Sequence, residues 1–403
     1  MRYCLNFMPS LFWDGIFCAS LLWKRPIYGI LILYHWEKGY GMDELQQARQ
    51  KIDAIDAQMA ALFEQRMEAV AQVALYKAQT GKPVFDAARE QVVLDNNTAR
   101  LQKEELRPYY REFLQQAMEV SKAYQRAMLG RDAAAYQGVE GAWSHIALRR
   151  LFPFARSKAF STWAEVCEAV CRGETQFGVL PFENSNAGDV SAVLDLLYAH
   201  PELTVTGMCD LPIRQDLLGL PGATLADIKT VVSHQQALAQ SSLFLRAHGA
   251  QTVVWGNTAD AARHVAELGD KSVAAIASAE TARLYGLEIL AQGVNEDGDN
   301  TTRFLVVEKG NTPPAPQAGQ RMALLFTVDH KPGKLAQVIE LIGRQGLNME
   351  CIKSRPLPHV QFEYYFYVQL ICPDDAACET LLQTLDGVCR TVRLLGVFEL
   401  KTL

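Results

Sequence analysis

The sequence predicts a multidomain protein with an all-α module, an α/β module and a small α+β module. Three observations lead to this prediction. Apolar residues recur at helical spacing from about residue 43 to residue 128. Short apolar strands then alternate with helical stretches as far as residue 309. After a proline-rich segment, the last stretch is typical of the order strand, helix, strand, strand, helix, strand.

Length and composition limit the possible functions. A chain of 403 residues is expected to form two to four domains. A formal net charge of -6 without a long basic run disfavours a nucleic-acid partner. The nine cysteines form no C-x-x-C pair and have no histidine at zinc-finger spacing, so we expect reduced, mostly buried thiols and no metal. No cofactor motif is present.

The first 41 residues carry two apolar runs, Ile16 to Trp23 and Ile27 to Trp36. Each is shorter than the roughly 18 to 20 residues that span a bilayer. We expect that the start was assigned too early and that the native protein begins at Met42, after the purine-rich codons of Glu37 to Gly39. A membrane anchor is the alternative. Because neither run is long enough to span a bilayer, we expect a cytoplasmic protein with no membrane partner.

The helical module is expected over residues 42–131. The apolar spacing predicts helices over Asp43 to Thr80, Ala87 to about Leu101 and Pro108 to about Met128. Gly81-Lys82-Pro83 ends the first of them. Three helices of unequal length form a poor core alone, so a homodimer or a higher homo-oligomer is expected.

Polar residues in this module also follow helical spacing. Arg66 and Lys77 are eleven residues apart, which is about three turns and ~16 Å along one helix face. Ser121 and Gln125 form an i, i+4 pair. A solvated surface is the alternative interpretation of such charges. A further polar group begins the second helix: Asp86, Arg89 and Glu90.

Three motifs make this module resemble the all-helical chorismate mutase family: R-x-x-I-D-x-I-D from Arg49, D-x-x-R-E from Asp86, and S-x-x-x-Q from Ser121. The resemblance implies that cations bind the substrate carboxylates and that donors meet the ether oxygen and the ring hydroxyl. The implied residues are Arg49, Arg66 and Arg89 at the carboxylates, Lys77 and Gln125 at the ether oxygen, Glu90 at the hydroxyl, and Asp86 and Ser121 in the same pocket.

The implied reaction explains these residue types. Chorismate rearranges to prephenate in a pericyclic step, so the protein can only fix the reactive conformation and stabilise developing charge. Arg49 lies ~26 Å along the helix from Arg66, too far for both to reach one small molecule. We therefore expect Arg49 to act in the active site of a partner subunit.

The α/β module is expected over residues 133–310. Small polar residues follow its predicted strands, which suggests helix N-termini that face one crevice and bind a small anion. Ordinary helix capping is the alternative. Gly138 and Gly141 form only G-x-x-G, which disfavours a dinucleotide site. The strands are Phe177 to Pro181, Lys229 to Val232, Thr252 to Trp255 and Val273 to Ala277, and the polar residues are Ser144, Asn184, Ser185, Ser233, Thr258 and Ser278.

Four motifs make this module resemble prephenate dehydratase: P-F-E-N-S, S-H-Q-Q-A-L-A-Q, N-T-A-D-A-A and T-R-F, beginning at Pro181, Ser233, Asn257 and Thr302. The resemblance implies two α/β subdomains around a cleft, as in type II periplasmic binding proteins. It implies Thr302 as the acid that helps the ring hydroxyl of prephenate to leave, with Asn184, Ser185, Ser233, Gln240 and Arg303 lining the pocket. Gln235 departs from the proline that the family usually carries.

Three further residues keep two interpretations each. Glu183 is either a catalytic helper or a structural carboxylate. His145 and His234 lie beside motif residues, and each could equally cap or pack.

A linker is expected over residues 311–320 and a ferredoxin-like module over 321–403. The motifs K-P-G-K-L from Lys331 and K-S-R-P from Lys353 resemble the amino-acid-sensing ACT domain. The resemblance implies a phenylalanine site between protomers, at Pro332, Gly333, Lys334, Leu335, Lys353, Ser354, Arg355 and Pro356. Lys353 stands where the family has glutamate, which reverses a charge beside the expected pocket.

Together these interpretations predict an enzyme that converts chorismate to prephenate and prephenate to phenylpyruvate, with feedback inhibition by phenylalanine. Two alternatives are disfavoured: a chain with one degenerate module, because both sets of family positions are intact, and a ligand sensor without turnover, because the mutase residues and T-R-F are complete.

Overall fold

A computed structural model describes residues 42–82, 84, 87–310, 313, 315–358 and 360–403. The expectation for residues 1–41 lies outside this range. The chain divides into two compact units, the first ending at Val73 and the second running from Ala74 to Leu403. None of the described helices combines the length and the apolar content that a membrane crossing requires.

The helical module contains the three predicted helices: α1 (Met42–Thr80), α2 (Ala87–Thr98) and α3 (Arg107–Met128). The second ends three residues earlier than predicted, because Leu101 N bonds to the carbonyl of Thr98 in a turn. A short 3-10 turn, Glu104–Leu106, precedes α3, which begins with a proline in its first turn. Several apolar side chains of α1 are 43 to 62% exposed in the single chain: Leu45, Ile52, Ile55, Met59 and Leu62.

The α/β module begins with three strands and three helices and then continues into a second subdomain. Its strands are β1 (Ala133–Gln137), β2 (Arg156–Phe160), β3 (Phe177–Asn184), β4 (Gly188–Asp189), β5 (Leu203–Pro212), β6 (Asp216–Gly219), β7 (Thr230–His234), β8 (Gln251–Trp255), β9 (Val273–Ala277), β10 (Glu288–Ala291) and β11 (Thr301–Lys309). Its helices are α4 (Trp143–Leu151), α5 (Trp163–Cys171), α6 (Ser191–Ala199), α7 (Gln235–Gln240), α8 (Ser242–His248), α9 (Thr258–Leu268) and α10 (Ala279–Tyr285), with a 3-10 turn at Leu225–Asp227.

Two sheets confirm the predicted pair of subdomains. The second sheet has the order β10-β6-β9-β7-β8, with β8, β7 and β9 parallel. The chain leaves the first sheet after β5 and returns to it at β11. Thr302, at the start of β11, is in register with Asn184 of β3 and Leu211 of β5, so Asn184 and Thr302 lie near these connections. The likeness to periplasmic binding proteins stays a prediction.

The C-terminal module has the predicted order of six elements. They are β12 (Arg321–Thr327), α11 (Lys334–Arg344), β13 (Asn348–Pro356), β14 (Tyr364–Ile371), α12 (Asp375–Leu385) and β15 (Thr391–Phe398), followed by β16 (Leu400–Thr402). The last residues of the predicted linker pack on this module, since Gly319 N bonds to the carbonyl of Cys372.

The C-terminal module does not form a separate sheet. The strands of both modules run in one order, β13-β14-β12-β15-β5-β11-β3-β1-β2, with β16 beside β5 and β4 beside β3. One register pair, Gly396 and Val205, joins β15 to β5. One apolar cluster spans the junction, and in it Tyr198 stacks on Tyr365 with 4.3 Å between ring centroids. The sequence predicted two domains here but not their shared sheet and core.

A substitution at Gly396 would test this junction. A Cβ at this position would overlap the carbonyl oxygen of Val205. We expect Gly396→Ala to lower the free energy of unfolding by about 1 to 3 kcal/mol, as overpacking does. Gly343→Ala is the matched control, because this helical glycine has open space around it and alanine there should stabilise by roughly 0.5 to 1 kcal/mol. Urea unfolding would measure the free energy of unfolding of both variants. An equal loss of stability in the two would contradict the close approach of β15 to β5 at Gly396.

Candidate functional site

The candidate dehydratase site is built around the side chain of Asn184, the last residue of β3. Its Oδ1 accepts from the backbone N–H groups of Asn186 and Ala187, at 3.1 and 2.9 Å. These two bonds fix which end of the amide is the NH₂ group. That group, Nδ2, donates to Thr302 Oγ1 at 2.9 Å. Because the Thr302 hydroxyl accepts this bond, its own proton stays available for another acceptor.

The predicted residue Gln240 joins this cluster through an asparagine that the motifs did not single out. Asn300 is 2% exposed. Its Oδ1 accepts from Asn184 Nδ2 at 2.8 Å, and its Nδ2 donates to Gln240 Oε1 at 3.1 Å. Gln240 ends α7 in one subdomain, whereas Asn184 ends β3 in the other. A chain of uncharged amides therefore crosses the junction and ends at Thr302.

The two predicted serines have different surroundings. Ser185 Oγ accepts from Thr301 N at 3.0 Å, so this exposed residue ties the end of β3 to the start of β11. Ser233 is fully buried within β7, and its hydroxyl donates to the carbonyl of Ile276 at 2.6 Å. The structure thus brings Ser185 to the cluster and places Ser233 beneath the surface.

Arg303 lies on the other side of the sheet from Thr302. Thr302 is in register with Asn184, and Arg303 is in register with Glu183 and Asp210. Successive residues of a strand point to opposite faces. The guanidinium donates to both oxygens of Asp210, at 2.7 and 2.8 Å, and this pairing raises the pKa of Arg303. The expectation that Arg303 lines the same pocket therefore does not agree with this geometry.

Two residues of the K-S-R-P segment contact the α/β module. Lys353 Nζ lies 3.2 Å from Glu183 Oε1 and makes a short contact with Asp189. Arg355 donates to both oxygens of Asp195, at 3.0 and 2.6 Å. The Arg355 guanidinium lowers the pKa of Asp195. Both cations are therefore engaged with carboxylates of the neighbouring module, and Glu183 has a structural ion-pair partner.

The remaining predicted regulatory residues are at the surface or half-buried. Gly333 is the N-cap of α11 and has φ of +81°, a conformation that favours glycine. Lys334 and Leu335 form the first turn of that helix and are half-buried. Three others are exposed: Pro332, Ser354 and Pro356.

A buried lysine of α3, Lys122, pairs with the candidate mutase residue Glu90 of α2. Lys122 Nζ lies 3.0 Å from Glu90 Oε1 and 2.7 Å from Glu119 Oε1. Ser121 donates to the carbonyl of Ala117 at 2.6 Å. Gln125 is buried, and its Oε1 has no hydrogen-bond partner within the described residues. Burying a polar acceptor without a partner costs free energy, so Gln125 is suited to meet a ligand or water.

The other predicted mutase residues have individual surroundings. Lys77 Nζ donates to the carbonyl of Val84 at 2.6 Å. Arg66 is half-buried, and desolvation lowers its pKa. Arg49 and Arg89 are exposed. Asp86 lies outside the described residues.

The two histidines beside motif residues, His145 and His234, have capping contacts. His145 Nδ1 accepts from Gly141 N at 3.1 Å, and burial lowers the pKa of this ring. His234 is the N-cap of α7, and its Nδ1 accepts from Gln236 N at 3.3 Å.

Comparison with known proteins matches both modules. Residues 48–126 match the family model described as chorismate mutase type II, and residues 134–312 match prephenate dehydratase. The chain is 30% identical over 358 residues to the bifunctional chorismate mutase/prephenate dehydratase of Neisseria gonorrhoeae, covering 87% of this chain and 95% of that protein. It is 36% identical over 223 residues to arogenate dehydratase 2 of Petunia hybrida, covering 55% of this chain and 56% of that protein.

Two solved structures are also similar. A prephenate dehydratase from Arthrobacter aurescens, in complex with L-Phe, is 26% identical with a TM-score of 0.62, and the match covers 66% of this chain and 90% of that chain. GqqA, described as a novel type of quorum quenching acylase, is 33% identical with a TM-score of 0.62. That match covers 66% of this chain and 98% of the other.

The fold, the site and these matches define a multidomain enzyme with a helical mutase module and an α/β dehydratase module. The chain belongs to the bifunctional chorismate mutase/prephenate dehydratase family. It carries out the two consecutive steps from chorismate to phenylpyruvate in phenylalanine biosynthesis.

Two residues of these sites were missed from the sequence, although both lie beside motif residues. Lys122 directly follows Ser121 in S-x-x-x-Q, and Asn300 lies two residues before Thr302. A polar residue next to a motif residue usually faces solvent, so only the contacts identify these two.

Lys122 is expected to support the mutase by holding Glu90. We expect Lys122→Met to lower the mutase kcat/KM about tenfold or more, because Glu90 loses its fixed orientation. Arg111→Met is the control, since its exposed pair with Asp95 joins the same two helices and is worth at most about 1 kcal/mol. Steady-state assays with chorismate would measure both. Equal activity in the two variants would contradict the role of Lys122.

Proposed function

We propose that uncharged donors carry out the dehydratase step, with Thr302 as the proton donor. Prephenate loses carbon dioxide and its ring hydroxyl, and the electrons of the breaking C–CO₂ bond form the aromatic ring. The departing hydroxyl needs a proton or a hydrogen bond. Neutral donors suit this step, because strong cations would stabilise the carboxylate that must be lost. Asn184, Ser185 and Gln240 are proposed to complete the pocket.

One observation carries this proposal: the 2.9 Å bond from Asn184 Nδ2 to Thr302 Oγ1. The bond orients the hydroxyl as an acceptor toward Asn184, so its proton points elsewhere. The same bond stabilises the negative charge that grows on Oγ1 as the proton leaves. Ser233 and Arg303 are not placed in this pocket, because the Ser233 hydroxyl is buried in a bond to the carbonyl of Ile276 and the Arg303 guanidinium is paired with Asp210.

We propose that the mutase step uses fixed charges instead. Chorismate and its transition state carry two carboxylates, and the ether oxygen gains negative charge as its C–O bond breaks. The buried Gln125 and the half-buried Lys77 and Glu90 support this assignment. Lys77 and Gln125 are the proposed donors to the ether oxygen, and Glu90 is placed at the ring hydroxyl. The proposed carboxylate-binding residues are Arg49, Arg66 and Arg89, with Asp86 and Ser121 in the same pocket.

Separate variants are expected to separate the two activities. Thr302→Val should lower the dehydratase kcat by about 10² to 10⁴-fold, since it removes the proton donor, and should leave the mutase unchanged. Lys77→Ala should lower the mutase kcat by about 10² to 10³-fold and leave the dehydratase unchanged. Consumption of chorismate would measure the mutase, and phenylpyruvate absorbance with prephenate as substrate would measure the dehydratase.

Thr301→Val is the matched control for Thr302, because the Thr301 hydroxyl donates to the carbonyl of Asp299. Thr302→Ser should retain activity. A Thr302→Val enzyme with full dehydratase activity would overturn the assignment. Formation of phenylalanine from arogenate would test the reaction that the name of the Petunia hybrida protein suggests.

We propose a homodimer or a larger homo-oligomer in which α1 pairs with α1 of a second copy. The exposed apolar side chains of α1 support this, since a polar surface would be expected on a solvated helix. Arg49 is then a residue of the partner's mutase site.

Mixed dimers test this assembly. Co-expressed Arg49→Ala and Lys77→Ala chains should recover mutase activity, because each mixed dimer contains one site without either substitution. Chains that both carry Lys77→Ala should show no recovery. Absence of rescue in purified mixed dimers would exclude shared sites.

We propose that the C-terminal module is an ACT domain that binds phenylalanine, and that the enzyme acts in the cytoplasm. The βαββαβ order and the N-terminus of α11 at Gly333 support a site for an amino-acid carboxylate. The proposed residues are Pro332, Gly333, Lys334, Leu335, Lys353, Ser354, Arg355 and Pro356. Calorimetric titration should show phenylalanine binding, and no binding at millimolar ligand would leave the module structural.

A further inference from the structure

The C-terminal module places one buried cation against the hairpin that ends in the dehydratase site. Lys353, on β13, is 8% exposed. Its Nζ contacts Glu183 on β3 and Asp189 on β4, and it lies 4.6 Å from the ring centroid of Phe182. A single side chain from the C-terminal module therefore contacts both strands of the hairpin.

Two carboxylates of the hairpin repel each other, and the Lys353 cation offsets this repulsion. Glu183 and Asp189 are directly opposite each other in the β3–β4 register. Like charges in directly opposed positions destabilise a strand pair. With Lys353 between them, both carboxylates gain an attractive partner. Closing this hairpin therefore depends on a residue that lies 164 positions after Asp189.

Nearby charges do not replace Lys353. Arg303 also interacts with Glu183, but its guanidinium is bound through two nitrogens to Asp210. The charges at this point are then two cations, Lys353 and Arg303, and three carboxylates: Glu183, Asp189 and Asp210. Glu350, which also interacts with Arg303, has its own cation in Arg321. Loss of Lys353 would leave three carboxylates with one cation.

The hairpin also carries the residue that orients the proposed acid. Asn184 follows Glu183 directly and is in register with Gly188, which precedes Asp189. The amide of Asn184 holds the hairpin turn and Thr302 at the same time. Any shift between β3 and β4 would therefore displace the Asn184 amide, which donates to Thr302.

We infer that Lys353 is a positioning residue for the dehydratase reaction, because its ion pairs with Glu183 and Asp189 hold Asn184 in place against Thr302. The inference rests on the proposed roles of Asn184 and Thr302. The C-terminal module then completes the catalytic geometry in addition to any ligand that it binds.

The test uses the full chain and prephenate as substrate. Lys353→Met should lower the dehydratase kcat by about tenfold to a hundredfold, as small displacements of reacting groups do, with little change in KM. Lys353→Glu should lower kcat further, because it adds a fourth carboxylate. Lys353→Arg should recover most activity. The double variant Lys353→Glu with Asp189→Lys should also recover it, since a cation again separates two carboxylates.

Arg393→Met is the matched control for a general weakening of the module junction. Arg393 also ties the C-terminal module to the α/β module, through the carbonyls of Leu197 and His200 at 2.8 and 3.2 Å, but it does not bond to the hairpin. This variant should lower the melting temperature and leave the dehydratase kcat unchanged. Mutase activity of each variant reports whether the helical module is folded, and the melting temperature reports on the other two modules.

Two outcomes would overturn the inference: a Lys353→Met enzyme with a kcat no lower than that of Arg393→Met, or a charge-exchanged double variant that recovers nothing. If Lys353→Met fails to fold, the dehydratase kcat of Lys353→Arg and of the double variant Lys353→Glu with Asp189→Lys decides the question. An unaltered chain that does not turn over prephenate would instead contradict the proposed function.

Discussion

The proposed dehydratase site depends on the hydrogen bonds of the Asn184 amide. Its oxygen closes the turn after β3, and its nitrogen bonds to Thr302 and Asn300. Two subdomains and two strands thus meet at one side chain. Because an amide has a fixed donor end and a fixed acceptor end, it sets the direction of the Thr302 hydroxyl without adding charge.

The two reactions explain why the two sites differ in charge. A pericyclic rearrangement of a dicarboxylate benefits from fixed cations, and the proposed mutase residues of α1 to α3 include several. A decarboxylation is hindered by strong cations at the carboxylate that leaves, and the groups around Thr302 are amides and hydroxyls. Arg303, the cation next to Thr302 in sequence, is turned to the other face and paired with Asp210.

The shared sheet joins the C-terminal module to the α/β module. Gly396 permits β15 to approach β5, and Lys353 and Arg355 bond to carboxylates of the α/β module. A module joined in this way can transmit a displacement through hydrogen-bonded strands and ion pairs. Ion pairs are suitable connections, because a buried charge that loses its partner costs several kcal/mol.

The sequence by itself determined the three modules, the order of their elements and most of the motif residues, since helical and strand periodicity are local properties. Tertiary structure alone decided the shared sheet, the contacts of Asn300 and Lys122, and the face occupied by Arg303. These features arise from contacts between residues far apart in the chain, such as Lys353 with Asp189. No local pattern encodes such a pair, because each partner alone has the sequence signature of an ordinary exposed charge.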